Sequence, residues 1–273
     1  MFLINGERRQ TVDAADRGFQ YGDGLFETLA VSQGRLQFLQ QHLKRLALGC
    51  AKLLLPEPDL QLLAAEAQQL AAQAEQGVVK IIITRGSGGR GYRQPGVIST
   101  TRVLGLYPYP NYPADYQQHG VVVRLCQQRV SGTAALAGVK HLNRLEQILA
   151  RAEWQDEAIQ EGLMLDNSGA VVEGTMSNLF VLKQGTLCTP ALTNCGVAGI
   201  IREIVMNLAA QQHIPVLETV LPPQALFQAD EIFLTNSVIG IWPVRQLEQQ
   251  SFPVGAVTRV LQNQFKALCH PAA

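Results

Sequence analysis

Apolar positions recur along this chain with two periods, two and about 3.6, and the switches between them mark out its elements. Phe2, Leu3 and Ile4 run into Asn5-Gly6, a strand meeting a hairpin turn. Residues 25–31 read as a strand, Ser32-Gln33-Gly34 as a turn and residues 35–39 as the returning strand. Leu43, Leu46, Ala47, Cys50 and Leu54 share one face of a helix over 41–54, while His42 and Arg45, three positions apart, share another. Pro56 and Pro58 break the chain. A helix rich in Ala, Leu, Gln and Glu spans 60–76 and stops at Gly77. Strands follow over 78–84 and 101–109.

Pro108, Pro110 and Pro113 form the one convincing linker, so the sequence divides into a small α/β lobe over 1–110, a connection over 111–120 and a larger lobe over 121–273. In the larger lobe, residues 120–125 form a Val-rich strand and residues 131–138 a loop of small residues. That loop delivers Lys140. Leu142, Leu145, Ile148, Leu149 and Ala152 then recur at helical spacing, which predicts a helix starting just after the lysine. Residues 162–166 and 170–181 read as strands of a meander, broken around Gly174, with turns at Asn167-Ser168-Gly169 and Gln184-Gly185. Gly196 to Arg202 opens a helix with Ile201, Ile204, Val205 and Leu208 on its apolar face. A strand over 215–220, a short helix over 222–229, a strand over 230–234 and a closing helix over 255–268 complete an α+β pattern.

Composition narrows the function classes. The chain has 273 residues, 47% of them hydrophobic and 16% charged, with 22 basic and 22 acidic side chains. That balance suits a soluble globular protein and gives no electrostatic reason to expect nucleic acid or an anionic membrane. The five cysteines are scattered and none forms a Cys-x-x-Cys pair, which suits neither a disulfide framework nor a metal site. The first residues lack the apolar core of a signal peptide, and no apolar run is long enough to span a bilayer. A cytoplasmic protein acting on a small molecule is the expectation.

Three kinds of side chain carry candidate chemistry. Lys140 follows small residues and sits among apolar ones. Partial desolvation there favours the neutral amine, which can form a Schiff base. Glu173 interrupts an apolar run, as a carboxylate partnering a cationic heterocycle would. Arg45 offers a guanidinium fork for a phosphate, and the small residues before Ile200 offer free N–H groups at a helix start. Thr235-Asn236-Ser237 adds hydroxyl and amide donors. The spacing Gly86-x-Gly88-x-x-Gly91 after a strand resembles a dinucleotide fingerprint, but Tyr92-Arg93-Gln94-Pro95-Gly96 cannot open the helix that motif needs. The same loop presents Arg85, Arg90, Tyr92 and Arg93, which could grip a carboxylated substrate.

These pieces stand in a telling order. Tyr21-Gly22-Asp23-Gly24-Leu25-Phe26-Glu27 comes first, then His42-Leu43-Lys44-Arg45-Leu46, Lys140, Glu173-Gly174 before Ser177-Asn178-Leu179-Phe180, and Gly199-Ile200-Ile201-Arg202-Glu203. Ala229 to Phe233 and Pro243-Val244-Arg245 close the series. The series resembles the fold-type IV pyridoxal phosphate enzymes, a family with two-domain, D-amino acid aminotransferase-like architecture. Within it, Arg85 to Tyr92 and Lys140 to Glu146 look most like the 4-amino-4-deoxychorismate lyases. The resemblance implies pyridoxal 5′-phosphate as cofactor and Lys140 as the Schiff-base lysine and general base. It implies Glu173 as partner of the ring nitrogen, and Arg45, Gly199, Ile200, Ile201 and Ser237 around the phosphate. Ile201 stands where many transaminases carry a threonine hydroxyl, so backbone N–H groups would carry more of that contact. Arg90, Tyr92 and Tyr109 are the candidates for the substrate carboxylates. The resemblance also implies a homodimer. The implied reaction, a step of folate biosynthesis, yields 4-aminobenzoate and pyruvate. The alternatives are a branched-chain or D-amino acid aminotransferase, and a non-enzymatic binding protein on the same scaffold.

Overall fold

In the computed structural model, which describes residues 1–269, the period-two segments pair into two separate sheets, and the chain divides into two compact units. The first unit comprises Met1–Asn111 and Val139–Asn143; the second comprises Tyr112–Gly138 and the chain from Arg144 onward. The lysine segment thus packs with the first unit, although the sequence assigned it to the larger lobe. Its neighbours on both sides in the chain belong to the second.

The first unit carries β1 (Phe2–Ile4), β2 (Glu7–Arg8), α1 (Arg17–Tyr21), β3 (Gly24–Ser32), β4 (Arg35–Leu36), α2 (Leu39–Lys52), α3 (Leu60–Ala71), β5 (Gln76–Thr84) and β6 (Thr101–Tyr107). Its six strands pair antiparallel in the order β2-β1-β6-β5-β3-β4. From Leu25 onward, strand β3 alternates. Leu25, Leu29 and Val31 join Leu43, Leu46 and Cys50 of α2 and Leu63 and Leu70 of α3 in the core. Each such side chain contributes about 2 kcal/mol on burial. Only Val31 and Ser32 of β3 pair with β4, so the first half of that strand has an open edge.

The second unit carries α4 (Asp115–His119), β7 (Val121–Val130), α5 (Leu145–Arg151), β8 (Glu161–Asp166), β9 (Val171–Gly174), β10 (Asn178–Lys183), β11 (Thr186–Pro190), α6 (Ile200–Gln211), β12 (Val216–Thr219), α7 (Pro223–Phe227), β13 (Glu231–Asn236), β14 (Gly240–Leu247), β15 (Gln250–Ser251) and α8 (Ala256–Cys269). Its sheet runs β12-β11-β10-β13-β14-β7-β8-β9, with β15 on β14. The near-continuous apolar runs of β8, β10 and β13 bury every residue except the last of each strand, as strands covered on both faces do. Among the described residues no helix is long and apolar enough to cross a membrane, and no cluster of three or more His, Cys, Asp or Glu could hold a metal ion.

One sequence expectation changes. The helix after Lys140 begins only at Leu145, and Leu145, Ile148 and Leu149 are 73%, 61% and 57% exposed. Lys140 is therefore not at a helix mouth. It lies in an extended segment that fills the open edge of β3. Phe26 N–H donates to the Lys140 carbonyl (3.0 Å), and Leu142 N–H donates to the Gly24 carbonyl (3.0 Å).

Candidate active site

In the first unit, Phe26 and Thr28 lie on the face of β3 opposite the core. Lys80 of β5 is the register partner of Thr28 and shares that face. The Lys140 ammonium stands 4.4 Å from the centre of the Phe26 ring, and the Lys80 ammonium stands 5.0 Å from it. An aromatic face attracts a cation. Burial pushes the Lys80 ammonium below its usual range. Lys80 was missed in the sequence, where it sits unremarked inside the run Val78 to Thr84. A lysine in so apolar a strand was the available signal.

The other face of β3 holds a buried ionic cluster. Glu27 is 1% exposed and His42 fully buried. Arg45 Nε donates to Glu27 Oε1 (2.7 Å), and its Nη2 donates to Oε2. His42 Nδ1 donates to Oε2 at 2.6 Å; a carboxylate only accepts, so the imidazole proton sits on that nitrogen. Burial alone would raise the Glu27 carboxyl, but the Arg45 and His42 partners overcome it and hold the group at about 2. Burial keeps His42 below its ordinary value despite that carboxylate. The helical spacing rightly put His42 and Arg45 on one face. It did not show that the Nε–Nη2 edge of Arg45 is turned to Glu27.

The Gly22-Asp23-Gly24 motif anchors this scaffold. Gly22, at φ 66°, caps α1, and its carbonyl accepts from Asn143 Nδ2 (3.1 Å), three residues past the lysine. Asp23 accepts from Arg17 Nε (2.9 Å) and Arg85 Nε (2.8 Å). Arg85 also donates to the carbonyls of Leu53 and Leu54 at the end of α2. It is thus a buried helix cap rather than a substrate-gripping side chain. Arg90 is exposed and Tyr92 is 89% exposed, with its ring 5.8 Å from that of Tyr21; Tyr109 is exposed beyond β6. The glycine-rich loop is tied back where Arg17 Nη1 donates to the Gly91 carbonyl (2.8 Å). No helix follows it, so it is not a dinucleotide fingerprint.

In the second unit, Glu173 is buried at the end of β9 and its Oε2 accepts the Val197 N–H (2.8 Å). The Glu173 charge also bears on Arg144, whose guanidinium burial pushes down and that carboxylate pulls back up. The turn after Glu173 is held from beneath. Glu161 accepts the N–H groups of Thr175 and Met176 (both 3.1 Å) and the Ser177 hydroxyl (2.8 Å). A Cβ on Gly174 would collide with Ser177 Oγ and come within 2.9 Å of Glu161 Oε2, which explains the glycine after the glutamate.

Gly199 precedes the first turn of α6; its backbone is extended and it has no side chain to cap that turn. The Ile200 and Ile201 side chains are buried, leaving their N–H groups as the polar surface of the helix end. Such an end attracts an anion. Ser237 is half-buried in a turn shaped by Asn236, whose Oδ1 accepts the N–H groups of Val238 and Ile239 (2.8 Å each). Thr235, beside it, has a fully buried hydroxyl without a hydrogen-bond partner. The predicted residues thus fall in two groups. Arg45, Lys140, Arg90, Tyr92 and Tyr109 belong to the first unit; Glu173, Gly199, Ile200, Ile201 and Ser237 belong to the second.

The family model for amino-transferase class IV matches residues 24–247, from the start of β3 to the end of β14. The chain belongs to that family. Class IV relatives match it along nearly its whole length. An aminodeoxychorismate lyase of Vibrio harveyi is 35% identical over 266 residues, 96% of this chain and 98% of that protein. The crystal structure of 4-amino-4-deoxychorismate lyase from Pseudomonas aeruginosa superposes with a TM-score of 0.94 at 45% identity, covering 97% of this chain and 98% of that one. The branched-chain amino acid aminotransferase of Escherichia coli superposes at 0.89 with 25% identity, covering 98% and 94%. The class IV fold is thus common to lyases and transaminases.

Proposed function

We propose that this chain is a pyridoxal 5′-phosphate-dependent lyase that converts 4-amino-4-deoxychorismate to 4-aminobenzoate and pyruvate in folate biosynthesis. The observation that carries the reading is the contrast between two relatives of near-identical fold, a lyase at 45% identity and a transaminase at 25%. The donor set fits the cofactor. An uncapped helix end and a guanidinium suit a phosphate, a buried carboxylate suits a protonated ring nitrogen, and a lysine on an aromatic face suits an aldehyde.

When bound, the cofactor supplies an aldehyde that condenses with amines and a ring that accepts electrons. Lys140 Nζ holds the cofactor, then takes the proton from the substrate carbon bearing the amine. Glu173 keeps the ring nitrogen protonated. Arg45, Ser237 and the N–H groups of Ile200 and Ile201 fix the phosphate, with Gly199 leaving that helix end open. The substrate's carboxylates call for cations and hydroxyls. Arg90, Tyr92 and Tyr109 are candidates on loops, and Lys80 is a further one on a rigid strand.

Purified enzyme given 4-amino-4-deoxychorismate and no keto acid is expected to produce 4-aminobenzoate, read by its fluorescence, with pyruvate in equal amount. Formation of glutamate or alanine from a supplied keto acid, with no 4-aminobenzoate, would move the assignment to an aminotransferase. A colourless protein that binds no cofactor would favour a non-enzymatic role. Lys80→Met and Arg90→Ala should raise KM more than they lower kcat.

The enzyme works as a cytoplasmic homodimer in this reading. Its five free thiols suit a reducing compartment, and the exposed Leu145, Ile148 and Leu149 of α5 supply an apolar surface that a second copy would cover. Sedimentation should give a dimer mass, and Leu149→Glu should shift it towards monomer. A monomeric wild type would refute the dimer.

A further inference from the structure

The stretch Gly196–Gly199, which leads into α6, is gripped on several sides. Glu173 Oε2 takes the Val197 N–H (2.8 Å), and Asn178 Nδ2 donates to the Val197 carbonyl (2.9 Å). Both polar groups of one residue are thus held by side chains on either side of the turn between β9 and β10. The Asn178 amide does more than bond. Its Oδ1 packs so closely on Gly199 that a Cβ there would collide with it, so the amide sets where α6 begins. Asn178 is itself immobilised. It is 6% exposed, is the register partner of Thr235, and follows Ser177, which Glu161 anchors. On the backbone side, Gly138 N–H donates to the Gly196 carbonyl (2.9 Å) and Ala198 N–H to the Gly138 carbonyl (3.1 Å).

We propose that Asn178 is a positioning residue that locks the Val197 backbone between the Glu173 carboxylate and the amino end of α6, so that one rigid segment sets both the ring-nitrogen and the phosphate contacts of the cofactor. This rests on the roles of Glu173 and Gly199–Ile201 proposed above. Removing the Asn178 amide leaves the Val197 carbonyl without this donor and opens space beside Gly199. The Glu173 side chain and the first turn of α6 would then move together, because Val197 joins them.

The test uses holoenzyme loaded with ring-labelled cofactor. Nitrogen NMR reports the protonation of the ring nitrogen, and phosphorus NMR reports the surroundings of the phosphate. In Asn178→Ala, both resonances should shift and the Kd for pyridoxal 5′-phosphate should rise about tenfold. A residue that only stabilised the fold would lower Tm and leave both resonances of the folded protein at their wild-type positions. That result, or a shift in only one resonance, would overturn the proposal. Should Asn178→Ala not fold, Asn178→Ser takes its place, with smaller shifts expected in both signals. Glu173→Ala separates the two ideas. If it leaves the ring-nitrogen signal unmoved, the assigned role of Glu173 fails. If it moves that signal while the Asn178 variants move neither or one, the inference about Asn178 fails alone.

Discussion

Lys140→Ala is expected to fold normally and to lose about a thousandfold or more of its turnover. The structure separates these two effects. The hydrogen bonds that hold the segment to β3 are backbone bonds, from Phe26 N–H to the Lys140 carbonyl and from Leu142 N–H to the Gly24 carbonyl, and alanine keeps both. The side chain's contact with the Phe26 ring is lost, and such contacts contribute about 0.5–1 kcal/mol at accessible sites. A thousandfold rate loss corresponds to about 4 kcal/mol. The expected defect therefore exceeds the cost of losing that ring contact several-fold. In wild type, borohydride should fix the cofactor on Lys140, and peptide mapping should find the label there. Lys80 is the informative rival, because its ammonium approaches the same ring at 5.0 Å and burial lowers its pKa. Label on Lys80, or activity in Lys140→Ala within tenfold of wild type, would move the chemistry to the wrong lysine for the present reading.

The position of that lysine shows where the sequence was legible and where it was not. Apolar runs bounded by turns identified most strands, and in β3 a strand packed on one face writes its burial into every second residue. The ordered motifs pointed to the family, since each serves a local need. Gly22 caps a helix, Gly174 clears Ser177 and Glu161, and Gly199 clears Asn178. The helix drawn from Leu142 onward began too early. Leu145, Ile148 and Leu149 do lie on a helix, but their face is exposed, and periodicity reports a face without saying what covers it. The residues before Leu145 instead pair with β3, more than a hundred positions earlier, and no local pattern announces such a pairing. Arg85 misled for a related reason. In sequence it heads a basic glycine loop; in the fold it turns back to cap α2. Glu27 was more nearly readable. It falls in the inward register of Leu25, Leu29 and Val31, where a carboxylate demands a buried partner. The two candidates were already visible as His42 and Arg45 on one helix face.

That buried cluster carries the second large effect. Glu27→Gln should destabilise the cofactor-free protein by about 3 kcal/mol at neutral pH, by the linkage between its shifted pKa and folding. The Glu27 carboxyl titrates at about 2 in the fold against an ordinary value of 4.5. A depressed carboxyl stabilises the fold fully above pH 4.5, and the contribution disappears as the pH falls through about 2. His42 adds a loss of the same sign at higher pH. Burial keeps it neutral in the fold, so the unfolded chain takes up the proton first as the pH drops below the ordinary histidine value of 6.5. Urea unfolding of wild type should therefore show stability falling from about pH 6.5 downward, in two stages. Glu27→Gln should keep the upper stage and flatten the lower one. The loss at neutral pH arises because the Arg45 guanidinium, 13% exposed, loses the carboxylate that it meets through two hydrogen bonds. Replacing both partners with apolar side chains, as in Glu27→Leu with Arg45→Met, should recover most of the stability while weakening the hold on a phosphate. A Glu27→Gln protein as stable as wild type, with an unchanged acid limb, would show that the pair does not hold this part of the fold together.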